Sequence, residues 1–261
     1  MTKTGETDTS ISVSWTPVEN ASSYSVTVNN EVISDNINST TYNINELESA
    51  SEYFIVVGAY DNDGKLLLES NELCAHTNIT INSNYTLTKD ISAANIYVNN
   101  GTFDLNSHSL TVDGDVWLSN GTLNVNKGKL YIGGDFNLKR IDYTYGTGYL
   151  KMQNAEDHIL VDGNMYASPL YNYSTLTAGT IEIKGDFTQK YYNSGYQNNF
   201  YCSGNHKVIL SGEKLQTVSF ASTQSQFNIL DIQNFSEDGV VFSTASVPAG
   251  RLRKMKSSTA I

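Results

Sequence analysis

The chain has 261 residues, of which only 16% are charged, and its formal net charge at pH 7 is −11. Asparagine, serine, threonine, glycine and tyrosine are abundant, and these residues favour strands and tight turns. The acidic excess lies almost wholly in residues 1–77, so neither part has the basic stripe that a nucleic-acid-binding protein needs. No apolar run is long enough to span a bilayer, and we expect no membrane insertion.

Residues 1–77 show short alternating strands separated by polar turns, a pattern that is typical of a β-sandwich. The predicted strands are Ile11–Trp15, Tyr24–Val28, Thr41–Ile44, Tyr53–Val57 and Leu66–Ala75. We therefore expect the first domain to be a sandwich over residues 1–77.

Three features of this segment carry a family resemblance. Leu47 lies six residues before Tyr53, Trp15 stands in the second strand, and Asp63-Gly64 marks a turn. With these features the segment closely resembles a fibronectin type III module. The resemblance implies a seven-strand sandwich with Trp15 in the core and Tyr53 as a tyrosine corner.

A period of twenty residues dominates the second part of the chain. The superposed pairs are Phe103/Leu123, Leu105/Val125, Leu110/Leu130, Val112/Ile132, Val116/Phe136 and Leu118/Leu138. Three i, i+2 apolar pairs per period, separated by Gly, Asn, Asp and Ser turns, predict three short strands per coil of a solenoid. We predict an all-β protein in which the sandwich precedes a right-handed parallel β-helix of about six to seven coils over residues 78–261. We expect this β-helix to be truncated at its C-terminus and to belong to a longer multidomain chain.

The period lengthens after Arg140, and the departures are rich in tyrosine. Inserts at 140–148 and 169–178 precede the first strand of a coil, so we expect them to emerge at one edge, and an irregular stretch follows near Tyr191. Ten of the seventeen tyrosines fall between residues 143 and 201. Aromatic rings beside Asn and Gln suit sugar recognition on a rigid scaffold, although tyrosines also pack long loops onto sheets. The candidate ligand-binding residues are Tyr143, Tyr145, Tyr149, Tyr171, Tyr173, Tyr191, Tyr192 and Tyr196.

The Gly-Asp corners indicate a structural role in preference to a ligand-binding one. Short polar side chains hydrogen-bond tight turns, so we interpret Asp115 and Asp135 as turn residues that form polar ladders. Calcium at Asp113, Asp115 or Asp135 is the alternative, but the calcium-binding nonapeptide repeat is absent. The segment Asp61–Gly64 is also no calcium loop, because the two residues that follow it are Lys and Leu. We expect no metal and no other cofactor.

Groups that could support catalysis or bind a metal are few. Cys74 and Cys202 match no metal-binding spacing, and we interpret both as free, buried thiols. The run Glu156-Asp157-His158 is the tightest titratable group, but adjacent strand residues point to opposite faces. We interpret His108 and His206 as isolated surface or turn residues. We therefore expect no catalytic residues and no enzyme.

A fibronectin type III-like module joined to a β-solenoid resembles part of a bacterial secreted or cell-surface protein. The resemblance implies a non-enzymatic, structural and adhesive module, and we expect its Tyr-rich edge to bind a polysaccharide or a surface protein. One alternative is a β-helix that degrades polysaccharides as a lyase or hydrolase, or an accessory part of such an enzyme. The other alternative is an inert stalk. We expect an extracellular or cell-surface location.

Overall fold

The computed structural model describes residues 1–139, 147–168, 174–191, 197–243 and 249–252. These residues form strands, turns and bends without any helix, which confirms the all-β fold class. In this part of the chain, accordingly, no helix could cross a membrane. By its internal contacts the chain divides into two units, Met1–Ile79 with Ser92–Ala94 and Thr80–Ile91 with Asn95–Ile261.

The first unit is a sandwich of two antiparallel sheets. Its strands are β1 (Thr2–Glu6), β2 (Ile11–Ser14), β3 (Ser23–Val28), β4 (Glu31–Ile37), β5 (Thr41–Ile44), β6 (Glu52–Tyr60), β7 (Leu66–Glu69) and β8 (Leu73–His76). One sheet has the order β1-β2-β5, and the other has the order β4-β3-β6-β7 with β8 also paired to β6. Alternate residues of both sheets point inward and form one apolar core, which includes Ile11, Val26 and Ile55.

Two predicted features of the sandwich are confirmed. The Tyr53 hydroxyl accepts a hydrogen bond from the backbone N–H of Glu48 at 2.8 Å, as a tyrosine corner does. Trp15 packs against the core, with its ring edge-on to Tyr24 at a centroid distance of 5.4 Å. Both contacts tie a loop to the sheet beside it.

The predicted continuous strand Leu66–Ala75 is wrong. It is divided into β7, which pairs with residues 58–60 of β6, and β8, which pairs with residues 52–55. Ser70 causes the break, because its hydroxyl accepts the backbone N–H of Val57 at 3.0 Å in place of a strand carbonyl. The last strand of the sandwich is therefore interrupted.

The second unit contains three parallel sheets. Its strands are β9 (Ile79–Ile81), β10 (Tyr85–Thr86), β11 (Ile91–Ala93), β12 (Ile96–Val98), β13 (Thr102–Asp104), β14 (Ser109–Val112), β15 (Val116–Leu118), β16 (Thr122–Asn124), β17 (Lys129–Ile132), β18 (Phe136–Leu138), β19 (Tyr149–Lys151), β20 (His158–Val161), β21 (Met165–Ala167), β22 (Thr180–Ile183), β23 (Phe187–Gln189), β24 (Lys207–Leu210), β25 (Gln216–Phe220), β26 (Phe227–Ile232), β27 (Val240–Phe242) and β28 (Ala249–Leu252). Sheet I has the order β10-β13-β16-β19, and single bridges through Leu176 and Cys202 extend it. Sheet II has the order β11-β14-β17-β20-β22-β24-β26-β28. Sheet III has the order β9-β12-β15-β18-β21-β23-β25-β27.

The chain visits sheets I, II and III in turn, which is the path of a parallel β-helix. Within the described residues, seven coils end in β12, β15, β18, β21, β23, β25 and β27, and β28 follows them. Phe103 pairs with Leu123, and Leu110 pairs with Leu130. The twenty-residue repeat therefore predicts the strand register correctly, and the handedness of the coil stays a prediction.

Stacked apolar side chains fill the β-helix. Phe103, Leu110 and Phe136 are each fully buried. In the later coils, the ring of Phe187 lies 4.8 Å from that of Phe227, close to edge-on, which is a favourable geometry for aromatic pairs. Burying each such side chain stabilises the fold by about 1.5–3 kcal/mol.

Side-chain oxygens link successive coils at the corner between sheets II and III. The bonds run from Asp115 N to Asn95 Oδ1 (2.8 Å), from Asp135 N to Asp115 Oδ1 (2.8 Å), from Asn164 N to Asp135 Oδ1 (2.7 Å), from Asp186 N to Asn164 Oδ1 (2.8 Å) and from Thr217 N to Asp186 Oδ1 (2.7 Å). This polar ladder confirms the structural role predicted for Asp115 and Asp135. Glycine precedes four of the five ladder acceptors, and at Gly163 a Cβ would collide with the backbone of Gly134.

His206 corrects one expectation, since it is fully buried and not a surface residue. It follows a turn in which its backbone N–H donates to Ser203 O at 3.1 Å. Among the described residues, neither ring nitrogen has a hydrogen-bond partner. Burial lowers the pKa of His206 from its ordinary 6.5 to about 4.

The polar ladder can be tested by replacing one acceptor. Asp135→Ala removes the partner of the Asn164 N–H, so we expect the free energy of unfolding to fall by about 1–3 kcal/mol in chemical denaturation. Asp135→Asn should lose less, because it keeps an oxygen where Asn164 has one. Asp238→Ala, at an exposed position, should change stability by less than about 0.5 kcal/mol. Equal losses in the two Asp135 variants would contradict the role of the ladder.

His206 should make stability depend on pH. Because its pKa is lower in the folded state, the unfolded chain binds more protons between about pH 6.5 and pH 4. Stability should therefore fall as the pH falls through this window, by up to about 3 kcal/mol, and this contribution should level off below pH 4. His206→Leu should flatten the dependence measured by denaturation at pH 7 and pH 4.5. An unchanged pH dependence in His206→Leu would contradict this account.

Candidate functional site

Successive coils differ in length at the corner between sheet III and sheet I. In coil 2, residues 119–121 connect β15 to β16. By contrast, residues 139–148 intervene between β18 and β19, and residues 168–175 and 190–200 follow β21 and β23 before the chain returns to sheet I. We call these three segments together the insert corner. The strand order thus places the described ends of three consecutive inserts at the corner between sheets III and I.

Two of the eight candidate tyrosines are described: Tyr149 directly follows the first segment of the insert corner, and Tyr191 lies at the beginning of the third. Tyr149 begins β19, where it pairs with Thr122, and Tyr191 follows the last residues of β23. Both are half-buried. One therefore stands at the start of sheet I and the other at the end of sheet III. The other six lie outside the described residues: Tyr143, Tyr145, Tyr171, Tyr173, Tyr192 and Tyr196.

A row of residues on the outer side of sheet III leads to the same corner. Tyr97, Trp117, Asn137 and Tyr166 stand in register on β12, β15, β18 and β21. Trp117 and Asn137 are only 8% and 2% exposed, although their strand neighbours point into the coil. None of these four residues is among the site residues predicted from the sequence. The sequence does contain a pattern that indicates the row, because the middle residue of the sheet III strand is aromatic in three of these four coils.

Lys139 joins the first insert to this row. Its Nζ lies 3.9 Å from the ring centroid of Tyr166 and 5.7 Å from that of Trp117, which is cation–π geometry. Burial lowers the pKa of Lys139 below its ordinary value, and the nearby Asp135 carboxylate partly opposes this shift. The contact holds the beginning of the insert against the outer side of sheet III.

Buried amides hold both ends of the third insert. Gln189 Nε2 donates to Asn199 Oδ1 at 2.8 Å, and Asn199 Nδ2 donates to the carbonyl of Lys190 at 2.7 Å. Gln189 Oε1 also accepts the backbone N–H of Ser222 at 3.2 Å, which belongs to the next coil. This network lies in the interior, since Gln189 is fully buried and Asn199 is 1% exposed. The scaffold therefore fixes where the insert leaves and returns.

The run Glu156-Asp157-His158 does not form an acid–base site. Asp157 is 1% exposed, and its carboxylate accepts the backbone N–H groups of Lys127 at 2.6 Å and Gln153 at 2.7 Å. His158 begins β20, and burial lowers its pKa. Glu156 is exposed. Asp157 is thus a turn residue, and the three side chains do not converge.

One group with metal-ligating chemistry occurs in the described part of the sandwich. It consists of Glu52, Cys74 and His76, whose ligand atoms all lie within 4.8 Å of one another. The prediction that Cys74 is a buried thiol is wrong, because it is exposed. Cys202 is buried as predicted, and burial raises the pKa of its thiol.

Comparison with known proteins agrees with the sandwich geometry. Residues 1–75 match the family model of the fibronectin type III domain. The N-terminal unit is a fibronectin type III module. No curated protein matches the chain. Among solved structures, the chain is similar to the crystal structure of pectate lyase PelI from Erwinia chrysanthemi in complex with tetragalacturonic acid, with 12% identity over 92% of this chain and 89% of that chain and a TM-score of 0.26.

Replacing the buried side-chain amide of Gln189 tests whether this residue organises the insert corner. Gln189→Leu removes the donor to Asn199 Oδ1 and the side-chain acceptor of the Ser222 N–H, and each such loss costs about 1–3 kcal/mol. Hydrogen exchange should therefore accelerate at the Ser222 amide. The Lys184 amide, which donates to Val161 O at 2.9 Å, should be unchanged. An equal exchange rate of the Ser222 amide in the wild type and in Gln189→Leu would contradict this role.

Proposed function

We propose that this chain is a non-enzymatic, structural and adhesive module of a bacterial secreted or cell-surface protein. In this proposal the β-helix is a rigid scaffold, and the tyrosines of the insert corner bind a polysaccharide. A surface protein is the alternative partner. The fibronectin type III module acts as a spacer beside this binding unit.

The observation that carries the proposal is the common position of the three inserts. Coils 3, 4 and 5 each lengthen at the insert corner, while the strand register on either side is kept, as in the pairing of Phe136 with Met165 and of Met165 with Phe187. Loops on a rigid scaffold are the usual place for binding residues. These three segments and the adjoining Tyr149 contain all eight candidate tyrosines.

The chemistry of the described residues also favours binding over catalysis. The ladder carboxylates Asp115 and Asp135 accept backbone N–H groups, and the Asp157 carboxylate does the same at another corner. The Lys139 ammonium lies against aromatic rings. These groups are therefore used to hold the scaffold. Rings and amides, by contrast, suit a neutral sugar, whose C–H faces stack on aromatic groups while its hydroxyls bond amides.

Binding to a panel of immobilised polysaccharides tests the proposal. The variant Tyr143→Ala, Tyr145→Ala, Tyr171→Ala, Tyr173→Ala should lose at least about tenfold in affinity, since loss of two or more ring contacts of about 0.5–1.5 kcal/mol each is sufficient. Tyr85→Ala is the control, because Tyr85 is exposed in coil 1 outside the insert corner.

Three results would contradict the proposal. One is retention of full affinity by the fourfold variant, and another is the absence of binding to every polysaccharide. The third is turnover of pectin- or alginate-like polymers by the wild-type chain, which would support the lyase or hydrolase alternative. Binding to a surface protein that the fourfold variant abolishes would keep the site and change the partner.

A further inference from the structure

Three ligating side chains lie together on the outer side of the five-stranded sheet of the sandwich. The antiparallel register pairs Glu52 with His76 and Phe54 with Cys74. Cys74 and His76 are two residues apart on β8, so they share one face, while Ala75 between them packs into the core. The strand pairing therefore brings together a carboxylate, a thiol and an imidazole from distant parts of the sequence.

Two of the three distances between the ligand atoms match those around a tetrahedral ion. Glu52 Oε2 lies 3.4 Å from Cys74 Sγ and 3.4 Å from His76 Nε2. With bonds of about 2.3 Å to sulfur and about 2.0 Å to nitrogen or oxygen, tetrahedral zinc holds its ligand atoms roughly 3.3–3.6 Å apart. The third pair, Cys74 Sγ and His76 Nε2, also lies within 4.8 Å. Only small side-chain movements would complete the arrangement.

We propose that Glu52, Cys74 and His76 bind a zinc-class divalent cation. Thiolate and imidazole ligands select borderline-soft ions over calcium and magnesium, which prefer oxygen ligands. The Cys74 thiol loses its proton to solvent when the ion binds, and a water molecule occupies the fourth position. The acidic excess of residues 1–77 adds a favourable long-range attraction for a cation.

The environment of the three groups allows an ion to enter. Cys74 is exposed, and the Glu52 side chain is 48% exposed, so two ligands face solvent. The third, His76, is only 9% exposed, and its position is fixed by the β6–β8 pairing. The site thus combines one rigid ligand with two that can adjust to the ion.

Binding would also add a side-chain cross-link between β8 and β6, whose backbones are already paired. β8 is a separate four-residue strand, and the metal would link its side chains to Glu52 at the beginning of β6. A ligand that binds only the folded module raises its apparent stability. Zinc should therefore raise the thermal unfolding temperature of this module, and a chelator should reverse the rise.

Cobalt(II) reports a thiolate ligand directly through its absorption spectrum, and the second cysteine of the chain provides the control. Titration of the full, reduced chain with Co²⁺ should produce the near-ultraviolet charge-transfer band of a cobalt–thiolate bond, saturating at one ion per chain. Cys74→Ala should abolish the band and weaken Zn²⁺ binding, measured by calorimetry, by more than about tenfold. Cys202→Ala should keep both, because Cys202 is the other cysteine of the chain and is fully buried. Glu52→Gln should keep the band and weaken Zn²⁺ binding by a similar factor.

A second measurement needs no variant. Zn²⁺ should protect Cys74 of the wild-type chain from alkylation by iodoacetamide, and a chelator should restore the reaction. The proposal is overturned if wild type gives no cobalt–thiolate band, if the band survives Cys74→Ala, or if Zn²⁺ leaves the alkylation rate unchanged. Circular dichroism of each variant checks that its fold is kept.

Discussion

Stacking of the coils in register is the constraint on which the second unit depends. Parallel pairing places each inward side chain above its counterpart, as Leu110 lies above Leu130. A slip of one residue would turn every inward side chain of a strand to the outside. The polar ladder prevents such slips, because Asp115 and Asp135 each accept a backbone N–H from the next coil. Backbone pairing and side-chain acceptors thus fix the same register.

This constraint also explains where the molecule can vary. The ladder continues from Asp135 to Asn164, although the first insert separates these residues in the sequence. Sheet II is likewise unbroken from β17 to β20. Because the strands of sheet II and the corner between sheets II and III keep the register, the corner between sheets III and I can accept long segments without loss of the core. The inserts at this corner therefore differ from coil to coil while the scaffold stays the same.

Local patterns in the sequence predicted much of this fold. The period at Phe103 and Leu123 predicted the strand register, and the resemblance to a fibronectin type III module implied the tyrosine corner at Tyr53. These features depend on alternation and on residues close in the sequence. The twenty-residue repeat also indicated that the inserts after Arg140 would share an edge, because it shows where each coil exceeds the period.

Features that depend on long-range pairing were missed. The Glu52–His76 pair requires the register of β6 and β8, and Ser70 breaks a strand that the pattern shows as continuous. The outward row at Trp117 was not predicted, because the alternation along each strand was used only to identify the residues that point into the coil. His206 was interpreted as a surface or turn residue, and it follows a turn but is fully buried. In each case the tertiary environment decided the outcome.

Hydrogen exchange of the full chain, with and without the polysaccharide that binds it most tightly, tests the central claim most directly. If the scaffold presents one binding edge, residues 139–148, 168–175 and 190–200 should gain protection together, while the amides of the polar ladder should not change. Protection confined to residues 1–77, or spread evenly along sheet II, would contradict the account.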